Sequence, residues 1–170
     1  MTRGSDGGTV EPSAYRAVMR RFPTGVTIVT TILDGRPKGF TANAVASVSA
    51  EPPMVLVCVS RQARTHPIIA QAGRFCVNLL TVQQERLARQ FATRRDDLDP
   101  FAGLAYRGAR TGSPVIEAAL SYLDCEVAEE YSAGTHTILI GAVLECAAAS
   151  GSPLGYFDGA YRDFGMEVGS

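Results

Sequence analysis

The sequence predicts a mainly β protein, an antiparallel β-barrel with helical attachments. Three observations predict it. Runs rich in Val, Ile and Thr recur six or seven times along the chain. Their connections include short hairpin turns such as Asp34-Gly35, which suit antiparallel neighbours. Only three stretches carry helical periodicity. A chain of 170 residues, 46% hydrophobic and 19% charged, is expected to form one domain that buries roughly two thirds of its unfolded surface. That domain is expected over residues 12–166, behind a polar, glycine-rich and disordered tail at 1–11.

Each element has a local reason. Pro12 opens a helix whose Tyr15, Val18, Met19 and Phe22 form one apolar stripe at i, i+3, i+4, i+7. Residues 25–33 favour a strand, and Asp34-Gly35 folds it back into a second strand at 38–50. Pro52-Pro53 ends that strand. Residues 54–59 are apolar at every position, which predicts a central strand covered on both faces. A short helix follows at 65–72, with Pro67 in its first turn and Gly73 as its stop, and then a strand at 74–80. Thr81 and Gln84 make a capping box for a helix to Ala92 that buries Leu87, Ala88 and Phe91. The charged stretch 93–114 is expected to be irregular, a lid or a dimer-facing loop. Leu123, Cys125 and Val127 alternate with Asp124, Glu126 and Ala128, a half-buried strand. Gly134-Thr135-His136 turns into a long strand at 138–148, and Gly151-Ser152-Pro153 into a last short one at 154–157.

Composition removes several functions. A net charge of −1 gives no attraction to nucleic acid or an anionic membrane, and Arg94-Arg95 is cancelled at once by Asp96-Asp97. No apolar run approaches the roughly eighteen residues of a membrane span, and the first ten residues resemble neither a signal nor an anchor. Cys58, Cys76, Cys125 and Cys146 lie inside apolar runs without a Cys-x-x-Cys, which predicts reduced core thiols in a cytoplasmic protein. There is no G-x-G-x-x-G, no P-loop and no G-x-S-x-G elbow. The two histidines, His66 and His136, are seventy positions apart without clustered carboxylates, so no metal site is expected.

A flavin enzyme needs none of those groups, because the cofactor holds the electrons while the protein binds, stacks and orients. Thr41, Asn43, Ser47, Ser60, Arg64 and Thr65 lie between or beside strand-like runs, and can supply backbone and hydroxyl contacts to a flat ring bearing a phosphate. The same residues read equally well as ordinary strand residues.

Eight segments, in order, carry a resemblance. They are FPTGVTIVTT (22–31), GFTANAVASVS (39–49), PPMVLVCV (52–59), AGRFCVNLL (72–80), QQERLARQFA (83–92), GSPVIEAALSYLDC (112–125), HTILIGAV (136–143) and PLGYFDGAYR (153–162). From about Tyr15 to Phe164 the chain resembles the flavin reductase-like family. These are split-barrel flavin-binding proteins that serve as reductase components of two-component monooxygenases.

The resemblance implies a Greek-key-like antiparallel split barrel, assembled as a homodimer with flavin near the interface. It places Thr41, Ala42, Asn43, Ala44 and Ser47 along the flavin and its phosphate arm. It gives the backbone of Cys58, Val59 and Ser60 to the isoalloxazine edge, Arg64 and Thr65 to a phosphate, and Phe91 to the pocket wall. Tyr161, Arg162 and Phe164 would cover the nicotinamide or adenosine. His136 would position the nicotinamide; it stands in Gly134-Thr135-His136, where such proteins carry Gly-Asp-His. The activity implied is hydride transfer from NADH or NADPH to FAD or FMN, with reduced flavin passed to a partner monooxygenase. A flavin-holding or electron-transfer module without nucleotide turnover is the alternative. A pyridoxamine-phosphate oxidase-like enzyme would want more cationic residues for its substrate phosphate.

Overall fold

The computed structural model describes residues 10–93 and 99–165. In chain order its elements are α1 (Pro12–Met19), β1 (Thr24–Gly25), β2 (Thr27–Leu33), β3 (Arg36–Ala42), β4 (Val45–Ala50) and β5 (Pro53–Ser60). Then come α2 (Thr65–Ala72), β6 (Arg74–Leu79), and a 3-10 turn at Val82–Gln84 that leads into α3 (Glu85–Ala92). The remainder is β7 (Tyr106–Gly108), β8 (Pro114–Ile116), β9 (Ser121–Ala133), β10 (His136–Ala148), β11 (Leu154–Phe157) and β12 (Ala160–Asp163). A seven-stranded sheet runs β3-β2-β6-β9-β10-β5-β4, antiparallel throughout; β1-β11-β12 and β7-β8 form two smaller sheets. Among the described residues no helix is long and apolar enough to cross a membrane.

The expected strand at 38–50 is two strands on opposite edges of the large sheet. β3 pairs with β2 and β4 with β5, and no ladder joins β3 to β4. The chain steps from one edge to the other through Asn43 and Ala44. Both sides of the step are held: Thr27 Oγ1 donates to the Ala42 carbonyl at 2.8 Å, and the Cys58 amide donates to the Ala44 carbonyl at 3.0 Å. Among the described residues this sheet is therefore hydrogen-bonded at each junction in its order, and the seam lies between its edge strands β3 and β4.

Two cores flank β2. Val29, Val57, Val59, Phe75, Val77, Cys125 and Leu139 fill the barrel. Val26, Ile28, Leu80, Ala88, Phe91, Phe101, Ile116 and Leu154 form the other, beneath α3 and the β1-β11-β12 sheet. The strands covered on both faces are thus β2 and β6, not β5. In β5, Val55, Val57 and Val59 are buried while Met54, Leu56, Cys58 and Ser60 stay half-exposed on the outer face. Continuous hydrophobicity cannot tell which side is covered.

Other expectations also shift. The α1 stripe of Tyr15, Val18, Met19 and Phe22 is not buried: all four residues are exposed. The stretch 93–114 holds β7, the buried Phe101 and the start of β8, and residues 94–98 lie outside the described set, as do 1–9 of the expected tail. β12 is an additional strand, because Asp158 and Gly159 both take positive φ and turn β11 back on itself. Asp124 is fully buried rather than facing water, and accepts hydrogen bonds from the Thr111 amide (2.7 Å) and hydroxyl (2.6 Å). Cys146 is exposed, unlike the other three thiols, and all four cysteines are free.

Asn78 ties three strands together from full burial. Its amide nitrogen donates to the Ile28 carbonyl at 3.1 Å and to Thr30 Oγ1 at 3.2 Å, and its oxygen accepts the Ile116 amide at 2.8 Å. Gly141 admits Phe75 to the barrel: a Cβ there would stand 2.5 Å from Phe75 Cζ and 2.9 Å from Cys125 Cβ.

Candidate active site

The expected site residues fall into two groups, joined by the step at the seam. The first lies where β5 ends, β10 begins and α2 starts. Ser60 and His136 are opposite each other in the β5–β10 register, Cys58 opposes Ile138, and the Cys58 amide binds Ala44. Asn43, Ala44 and Ser47 are exposed along the seam, while Ala42 and Val59 are buried and contribute backbone only. Ser60 Oγ accepts the Gln62 amide at 3.3 Å, the start of the tight turn that delivers the chain into α2.

Arg64 caps α2 and Thr65 is its first residue; the His66 amide donates to the Ala63 carbonyl at 3.0 Å, and Pro67 brings no N–H to the first turn. Thr65 is 8% exposed, and its Oγ1 is buried without a hydrogen-bond partner. A buried hydroxyl with no partner costs about 1–3 kcal/mol, which a ligand oxygen at this helix start would recover. The helix is locked to the barrel by His66, whose Nε2 lies 2.8 Å from the buried Thr137 Oγ1. His66 is thus a helix-start residue, as its position suggested, with a bracing contact that the sequence did not reveal.

The second group surrounds α3. Thr41 Oγ1 donates to the Ala88 carbonyl at 2.6 Å, so its proton is already committed and only its lone pairs remain for a ligand. Phe91 does not line a surface pocket. It is 5% exposed, edge-on to Phe101 at 5.0 Å and seated over Gly39, where it can support the site only from beneath. Tyr161 packs edge-on to Tyr156 at 5.5 Å, under the Arg89 guanidinium at 4.7 Å from its ring centre. Arg162 is exposed and donates to the Tyr161 carbonyl at 3.0 Å, and Phe164 lies against the backbone of Gly155.

Sequence reasoning also missed Arg61. Its amide donates to the Thr135 carbonyl at 3.0 Å and its guanidinium to the Gly134 carbonyl, clasping the turn that carries His136. Only its place immediately after an apolar strand hinted at this. Burial raises the Cys58 thiol above its ordinary value, so it is neutral near pH 7 and offers no nucleophile.

Two surface hollows, of about 370 Å³ beside Leu33, Arg36 and Lys38 and about 220 Å³ beside Arg107, Leu120 and Ala148, contain none of these residues. The candidate residues lie instead along the seam, with apolar residues on the adjoining outer face: Leu56 and Cys58 from β5, Ile138 and Ile140 from β10.

A barrel open along one seam, with small polar residues and a helix start gathered beside it, defines a split-barrel protein. Residues 19–165 match the family model described as flavin reductase like domain. The chain is 39% identical over 155 residues to HsaB, the reductase subunit of a flavin-dependent monooxygenase of Mycobacterium tuberculosis, covering 89% of this chain and 82% of that protein. It is 40% identical over 148 residues to the FMN reductase (NADH) RutF 2 of Methylorubrum extorquens, covering 87% and 86%. The structure of the NADH:FAD oxidoreductase SgcE6 of Streptomyces globisporus, in complex with NAD and FAD fragments, superposes with a TM-score of 0.84 at 34% identity, covering 93% and 97%. The chain belongs to the flavin reductase-like family.

Proposed function

We propose that this chain is an NAD(P)H:flavin oxidoreductase that reduces FAD or FMN and supplies the reduced flavin to a partner monooxygenase. The observation that carries the reading is the partnerless, buried Thr65 hydroxyl at the start of α2, beside Arg64 and the seam. It suits a phosphate oxygen. When bound, the flavin supplies the ring that accepts hydride and stores two electrons. The chain's own residues bind and orient. Asn43, Ala44 and Ser47 offer polar and backbone contacts along the seam, Cys58 to Ser60 offer strand backbone, and His136 faces outward from the adjoining strand for the nicotinamide side. Thr41 and Ala42 hold the step, and Tyr161, Arg162 and Phe164 form the aromatic and cationic surface for the nucleotide.

Residues 12–166 act as one domain in this reading, and the protein works as a cytoplasmic homodimer. Support for the dimer is the uncovered apolar surface: the α1 stripe, and the outer face of β5 and β10 beside the site. The names of the relatives, a monooxygenase reductase subunit and an NADH-dependent FMN reductase, support the activity and the oxygenase partner.

Anaerobic mixing of the protein with NADH and excess FAD tests the activity by the loss of flavin absorbance. Many flavins bleached per protein support the proposal; one or none makes the chain a flavin-holding or electron-transfer module. Repeating the assay with FMN and NADPH fixes both preferences.

A further inference from the structure

The turn carrying His136 is fastened at several points, and the fastening decides which ring nitrogen faces outward. Gly134 closes the β9–β10 hairpin with φ of 56°, a conformation natural to glycine. Arg61 holds the carbonyls of Gly134 and Thr135. Thr135 Oγ1 then stands 2.9 Å from His136 Nδ1. We propose that Thr135 is a positioning residue that donates its hydroxyl proton to Nδ1 and so fixes the His136 tautomer with its proton on Nε2, so that the outward nitrogen donates a hydrogen bond to an acceptor oxygen of the nicotinamide nucleotide. The use of that bond rests on the flavin reductase reading; the state of the ring does not.

The chemistry follows from the pair. A hydroxyl can donate or accept, and an imidazole nitrogen is a more basic acceptor than a hydroxyl oxygen, so O–H···Nδ1 is the stronger arrangement. The Thr135 hydroxyl has no other hydrogen-bond partner among the described residues. With Nδ1 accepting, the neutral ring must carry its proton on Nε2. On β5 and β9 the groups opposite His136 are Ser60 and Ala133, neither ionisable. One pair further along are Cys58 and Tyr131, opposite Ile138; burial raises the thiol, and the hydrogen bond to Glu129 raises the phenol. Glu129 itself is a pair beyond, opposite Ile140, and is engaged by the Tyr131 hydroxyl. No carboxylate among the described residues bonds the ring.

An aspartate at position 135 would do the opposite. A carboxylate only accepts, so Nδ1 would have to carry the proton, leaving Nε2 bare in the neutral ring and protonated only in the imidazolium. Threonine keeps the Nε2 donor in both charge states of the ring.

The test is imidazole ¹⁵N NMR on the full-length protein at pH 8, paired with NADH kinetics. In the expected wild-type spectrum the neutral His136 ring carries its proton on Nε2. Thr135→Val should mix the tautomers and raise the NADH KM by about tenfold with little change in kcat, while Thr135→Ser restores both. In Thr135→Asp the NADH KM should climb with pH as the imidazolium is lost, whereas the wild-type value stays flat over that range. A neutral wild-type ring protonated on Nδ1, or an unchanged KM in Thr135→Val, would overturn the proposal. A wild-type protein that does not oxidise NADH overturns the enzyme reading instead, and the spectrum still decides the ring.

Discussion

His136 and Thr65 show how a single side chain can be assigned work by what surrounds it. His136 is exposed at the first position of β10, with no packing role to lose. His136→Ala should therefore lower kcat/KM for NADH by about 10–100-fold while flavin affinity, read by fluorescence quenching, changes by less than about twofold. Equal loss in both would place the ring on the flavin instead. Gly141 is the reverse case, a residue with no chemistry and a strict shape. Gly141→Ala would drive a methyl into Phe75 and Cys125, costing about 1–3 kcal/mol and lowering Tm while the site stays intact. At this scale the sequence was informative about residue type and silent about partners. The polar set at 41–65 could be picked out, but the Thr41–Ala88 bond, the Arg61 clasp and the orphaned Thr65 hydroxyl all depend on residues distant in the chain.

Elements were legible where their signals were local. The helix Thr65–Ala72 stops where Gly73 takes positive φ, and the turns at Asp34-Gly35 and Gly134 fall between strands as expected. The capping box is realised too, with the Thr81 amide donating to Gln84 Oε1 at 3.0 Å. Failures came where tertiary placement decides. Nothing local announces that residues 38–50 change sheet edges at Asn43, or that Asp124 on an alternating strand turns inward to Thr111. The most consequential connection between elements is Asn78, which joins β6 to β2 and β8. Asn78→Ala would leave the buried Ile116 amide unpaired and remove a filled volume, so a loss of about 3 kcal/mol is expected in urea denaturation. Its conservative counterpart, Asn78→Asp, should also destabilise, since a carboxylate cannot donate to the Ile28 carbonyl.

For the whole molecule, alkaline pH is the natural stress. Burial pushes the Cys125 thiol from 9.0 up to about 12 and Cys76 higher still, with Cys58 raised by the same cause. Unfolded, these thiols ionise near their ordinary value, so above about pH 9 the unfolded chain sheds protons that the native core retains. Their contribution is complete below that pH and is lost as pH rises towards 12; the urea midpoint should fall between pH 8 and pH 10.5, and fall less in Cys125→Ala. Assembly gives a second test: if the seam is completed by a second copy, dilution below the dimer dissociation constant should abolish turnover, and a fully active monomer would contradict the interface.

The smallest sheet has a consequence of its own. β1 near the start of the chain pairs with β11 near its end, Thr24 opposite Tyr156 and Gly25 opposite Gly155. During synthesis β1 emerges long before its only strand partner and has no sheet to join until β11 has followed it out of the ribosome. A nascent chain paused before β11 therefore offers the unpaired backbone of β1 to chaperones.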